Sequence, residues 1–133
     1  MKKLNTVIIL FVFFALSACK SKPNPADAVQ SIRFKFTELG RETQFRIPCD
    51  KFSYYFPASR IKIFTKPTAI DSVMHLLDGM KPAGEGVQPD VRGQILITHV
   101  GNAIDTVCVG VKALEYKGAT YETPQELLVL IQK

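Results

Sequence analysis

Gln94-Ile95-Leu96-Ile97-Thr98-His99-Val100-Gly101-Asn102-Ala103-Ile104-Asp105-Thr106-Val107-Cys108-Val109 is two β-rich runs split by a Gly-Asn pair. Branched aliphatic and threonine side chains dominate both runs, and such side chains suit a pleated, half-buried surface. A two-residue Gly-X connection favours a type II′ hairpin. That turn sets Val100 opposite Ala103, Ile97 opposite Thr106 and Ile95 opposite Cys108. One face of the hairpin then carries Ile95, Ile97, His99, Ile104, Thr106 and Cys108. It is the more apolar face, so it is expected to meet helices, with Cys108 buried.

Downstream, Val111 to Tyr116 and Ala119 to Glu122 read as a smaller hairpin around Lys117-Gly118. Thr123-Pro124-Gln125-Glu126 has the form of a capping box and opens a last helix with Leu127, Leu130 and Ile131 inward. Upstream, Ser31 to Thr37 alternates Ile32, Phe34 and Phe36 against Arg33 and Lys35, the pattern of a half-buried strand. Thr43 to Ile47 repeats it, with Phe45 and Ile47 inward and Gln44 and Arg46 outward. Asp50 is placed to cap one short turn carrying Phe52, Tyr55 and Phe56, which Pro57 stops. Arg60 to Thr65 reads as a third strand, with Ile61 and Ile63 inward and Arg60 and Lys62 outward.

A helix follows, with Thr65 or Thr68 as its cap and Pro67 in its first turn. Ile70, Val73, Met74, Leu77 and Met80 share one face, and Gly79 is its stop. Met80 to Gly93 holds two prolines and three other glycine breaks and reads as a long loop. Strands in runs with hairpin-length connections argue an α+β fold. The expected form is a mainly antiparallel sheet of five to seven strands with two helices packed on one face. The chain has 133 residues, 47% hydrophobic, 22% charged, with a formal charge of +5. That suits one domain, expected over residues 28–133, and excludes a barrel of repeated βα units or a solenoid.

The first residues have a different character. Lys2 and Lys3 precede an almost wholly apolar run from Leu4 to Leu16. The run is shorter than the roughly 20 residues that span a hydrocarbon core, so it reads as a secretory signal over residues 1–18. It closes with Leu16-Ser17-Ala18-Cys19, which resembles the lipobox of bacterial lipoproteins. The resemblance implies cleavage after Ala18 and acylation of Cys19, hence a membrane anchor at the cell envelope. Lys20 rather than an aspartate follows the cysteine, which implies the outer rather than the inner membrane. Residues 19–27 would then be the lipidated cysteine and a short proline-containing tether. The half from Ala69 onward resembles small secreted bacterial α+β domains with a Gly-containing turn and a tyrosine before a terminal helix. Lys117, Gly118 and Tyr121 carry that likeness, which brings no function with it.

Cys49 and Cys108 remain. An envelope protein is in an oxidising compartment, so a disulfide is open to them; two buried free thiols are the alternative. No close-spaced cysteine pair or His-Glu-x-x-His is present, so no metal or cofactor is expected. Asp71, His75 and Asp78 share one helix face and read as a solvated face or a weak acid–base cluster. His99 beside the Gly101 turn reads as a satisfied edge histidine.

Charge is uneven. Lys20 to Lys66 holds ten basic and four acidic side chains; Pro67 to Lys133 holds five basic and eight acidic. If the three early strands are neighbours, Arg33, Lys35, Arg46, Arg60 and Lys62 line one basic face. Such a face suits anionic lipid headgroups, acidic glycan or an acidic protein, or is simply a solvated surface. Nucleic acid is excluded as a partner by location. Two other binding candidates are the Met80–Gly93 loop and the Tyr54-Tyr55-Phe56 turn. The expected function is a non-catalytic, lipid-anchored module that binds a macromolecule. The alternatives are an inhibitor or immunity protein against a secreted hydrolase or toxin, and a small envelope hydrolase using His75 or His99.

Overall fold

Period-2 alternation gives six strands one sheet. β1 is Val29–Phe36, β2 Arg60–Phe64, β3 Val91–His99, β4 Ile104–Gly110, β5 Ala113–Tyr116 and β6 Ala119–Glu122. The structure, a computed structural model, describes residues 28–133. The signal segment, Cys19 and the tether therefore lie outside the described residues. The strand order is β2-β1-β3-β4-β5-β6, and every neighbouring pair is antiparallel. The helices are α1 (Phe52–Tyr55), α2 (Pro67–Asp78) and α3 (Gln125–Gln132). This is the expected α+β class, with a mainly antiparallel sheet.

The main core lies between the sheet and the two longer helices. Ile32, Phe34, Ile95, Ile97, Val107, Val109 and Leu114 meet Ile70, Val73 and Leu77 of α2 and Leu127, Leu128 and Ile131 of α3. Pro67 stands at the start of α2 and Gly79 ends it, as its spacing predicts. The threonine caps are not made. Lys66 is the N-cap of α2, without a side-chain bond, and the Thr68 carbonyl accepts from the Ser72 hydroxyl. The capping box before α3 is also absent, because buried Thr123 donates its hydroxyl to the Gly110 carbonyl, 2.8 Å away.

Three expectations are overturned by packing. The first is the register of the β3–β4 hairpin. Ile97 stands opposite Asp105 and Ile95 opposite Val107, one residue off the expected pairing. Val100 donates its amide to the Ala28 carbonyl, His99 donates to Ala103, and Gly101 and Asn102 both take positive φ, 97° and 68°. The connection is thus three residues long. A one-residue slip turns the strand over, so Val107 and Val109 face the helices and Cys108 is buried on the other side.

The second is β2. Phe64 pairs opposite Ile32 and packs edge-on against Phe34, ring centroids 5.3 Å apart. Lys62 shares that face, while Ile61 and Ile63 point the other way and are 60% and 53% exposed. The third is Thr43–Ile47, which is no strand. β1 already has β2 and β3 as neighbours, so this segment cannot pair beside it. It is held instead by Arg92, only 4% exposed. Its guanidinium donates to the Arg41 and Val91 carbonyls, the Thr43 hydroxyl and both Asp90 carboxylate oxygens at 2.7–2.9 Å. Asp90 also accepts the Ile47 amide.

That clamp folds residues 44–56 over part of the second sheet face. Ile47, Phe52, Phe56, Val91 and Cys108 form a second, smaller core there. A 3-10 turn, Cys49–Lys51, leads into the single turn α1, where the short turn is expected, although Asp50 makes no capping bond. Cys49 and Cys108 are joined as a disulfide, with Cα atoms 5.5 Å apart. The Met80–Gly93 stretch is only partly a loop: Val91 to Gly93 belongs to β3, and Pro82 pairs opposite Tyr121.

Candidate functional site

The second face of the sheet is half covered. Gln94 donates to the Cys49 carbonyl at 3.0 Å and Lys35 to the Ser53 hydroxyl at 2.9 Å, which marks where the cover ends. Toward the β3–β4 turn the face is open. The strand registers place Ile61 and Ile63 of β2, Arg33 of β1, Leu96 and Thr98 of β3, and Ile104 and Thr106 of β4 together on it. Ile104 is 60% exposed. Arg33 and Lys35 are its charges, and no acidic side chain from these four strands shares the face. Ile61 and Ile63 are neighbours on β2, and Ile104 lies three strands away on the same face.

The five basic residues of the expected binding face are not brought together. Arg33 and Lys35 lie on the open face, opposite Ile63 and Ile61. Arg60 and Lys62 belong to the helix-side face, because β2 is turned over, and Lys62 donates to the Leu130 carbonyl at 2.9 Å. Arg46 is in the clamped segment and donates to the Pro89 carbonyl. The basic stripe is thus divided between two faces and a loop. The apolar members of the open surface are what sequence reading missed. The one usable signal was the Ile63-Phe64 pair: two large side chains in succession cannot both face the core, and the larger ring took it.

An aromatic cluster borders the cover. Tyr55 lies edge-on to both Phe45 and Tyr54, centroids 5.3 and 5.0 Å apart, and all three rings are exposed. Phe56, by contrast, is core.

The histidines separate. His75 is exposed on α2. His99 Nε2 is 3.0 Å from Asp105 Oδ2, on the helix side of the sheet. Nearby, the Lys117 ammonium sits 5.1 Å over the Tyr116 ring. It is held above the ordinary lysine value by the charge of Tyr116 and their hydrogen bond, with Asp105 and Asp78 adding to it. A hydrolase needs such a pair beside a cleft that admits substrate. Neither histidine lines any of the three best-formed clefts among the described residues. The roomiest of the three, about 630 Å³, lies between residues 39–43, 87–92 and 111–113. Its deepest polar group, Arg92, already spends every donor on the protein. Among the described residues no group of three or more histidine, cysteine or carboxylate side chains is placed to hold a metal ion. No described helix is long and apolar enough to cross a membrane. The chain matches no family model, and no characterised protein or solved structure matches it.

Proposed function

We propose that this protein is a non-catalytic, lipid-anchored domain of the cell envelope that binds another macromolecule through the open half of its sheet. The observation that carries the reading is the exposure of Ile61, Ile63 and Ile104 on one face, beside Arg33, with no acidic side chain contributed to that face by β1 to β4. Each isoleucine that a partner covers removes its remaining exposed half from water, about 1–1.5 kcal/mol of transfer free energy. The anchor rests on Leu16-Ser17-Ala18-Cys19. Anchoring is the natural companion of such a surface, since it confines the search for a partner to the plane of the membrane.

Photo-crosslinking in the native cell tests both parts. A crosslinking residue at Thr106, on the open face, is expected to capture one macromolecule; the same residue at Ser72, exposed on α2, is not. Fed with labelled palmitate, the cells are expected to label the parent chain and not Cys19→Ala. Equal capture at Thr106 and Ser72, or none at either, removes the binding reading. Label retained by Cys19→Ala, or missing from the parent chain, removes the anchor.

A further inference from the structure

The two edges of the sheet are treated differently. The outer edge of β6 is covered: Glu122 donates its amide to the Lys81 carbonyl at 2.8 Å, Ala83 donates to Thr120 at 3.0 Å, and Pro82 pairs opposite Tyr121. The outer edge of β2 has no such cover. Among the described residues, its backbone pairs only with β1. An uncovered row of backbone donors and acceptors is a template for another strand, and proteins ordinarily blunt it with proline, a bulge or an outward lysine. β2 has no proline, and the sheet's irregularities lie at Val29/Ser31 and Val91/Gly93, not on it. Its central Lys62 is drawn back over the helix layer, bonded to Leu130 and 5.3 Å above the Phe64 ring.

We propose that β2 accepts an extended acidic–apolar segment of a partner protein as a seventh strand. The proposal rests on the macromolecule-binding reading above and names its partner and mode. An added strand alternates in step with β2. Its side chains on one face lie beside Ile61 and Ile63 and must be apolar; on the other face the one nearest Arg60 is best acidic, Lys62 being held back by Leu130. The same charges disfavour a second copy of this chain. Two β2 strands paired about a two-fold axis would bring Arg60 and Lys62 onto one face with their own copies, and like charges across strands destabilise. A membrane surface would meet the open face but would leave the strand edge without ordered partners.

The test uses the full chain in a neutral detergent, titrated with a short peptide of alternating valine and glutamate, and in parallel with its valine–lysine counterpart. Backbone amide exchange is read residue by residue. The valine–glutamate peptide is expected to slow exchange within residues 60–64 by about tenfold or more, equivalent to about 1.4 kcal/mol. Exchange in β6 should stay unchanged. Ile61→Thr with Ile63→Thr, which keeps strand propensity, is expected to abolish the slowing. Arg60→Glu should transfer it to the valine–lysine peptide. No slowing at residues 60–64 with either peptide overturns the proposal, as does equal slowing with both. Slowing that grows with protein concentration in the absence of peptide would assign the edge to a second copy instead. Slowing that appears only on phosphatidylglycerol vesicles would assign it to the membrane. A negative peptide result with crosslinking retained at Thr106 removes the β2 edge alone; loss of both removes the binding reading as well.

Discussion

Breaking the Cys49–Cys108 disulfide is expected to lower the folding stability of the oxidised protein by about 4 kcal/mol. The bond closes a loop with a sequence separation of 59, and cross-linking removes that loop's closure entropy from the unfolded chain. The local effect should be as informative as the global one. The disulfide ties the 3-10 turn at Cys49 to β4, and through it the Ile47–Phe56 cover to the second sheet face. The main core on the helix side does not include either cysteine. Urea unfolding of the full chain, with and without reductant, gives the magnitude. Amide exchange should show residues 47–56 opening first while β3 and β5 stay protected. A loss below about 1 kcal/mol would show that the clamp around Arg92 holds the cover without covalent help.

Arg92→Met is expected to cost about 3 kcal/mol, at the low end for breaking a buried ion pair because Asp90 is half exposed. Methionine fills much of the volume but supplies none of the donors. The carbonyls of Arg41 and Val91 and the hydroxyl of Thr43 lose their partner, and Asp90 keeps only the Ile47 amide. The Val91 carbonyl, buried, then carries its full desolvation cost, and the partly buried Arg41 and Thr43 acceptors carry part of theirs. Urea midpoints measure the loss. Arg92→Lys separates charge from geometry: one ammonium cannot reach partners arranged around a planar fork, so lysine should recover only a minor part. A Lys variant as stable as the parent would mean that charge alone matters here.

The elements themselves were legible along the chain. Alternation marked β1, β2 and the β3–β4 and β5–β6 hairpins; the spacing Ile70, Val73, Leu77 marked α2 and its buried face. Pro67 and Gly79 bounded α2 because proline lacks a donor and glycine ends a helix without strain. Such features are local, and a local rule decides them. The site was less legible. Arg33 and Lys35 were placed correctly as outward, but Arg60 and Lys62 were not, and Ile61, Ile63 and Ile104 were assigned to the core.

What the chain alone determined is therefore the class of fold, the six strands that do form, the two longer helices, and the cysteines that can pair. Tertiary structure decided phase and company. Alternation says that neighbours in a strand face opposite ways, never which way, and Phe34 settled β2 by taking Phe64. The Gly101-Asn102 pair permits more than one turn, and the Ala28 carbonyl, brought alongside by β1, drew in the Val100 amide and moved the register by one residue. Thr43–Ile47 has a strand's pattern, yet a strand needs an edge, and β1 had none left to offer. Which edge is covered and which stays open depends on where residues 81–83 come to rest, a contact between segments far apart in the chain that no local pattern encodes.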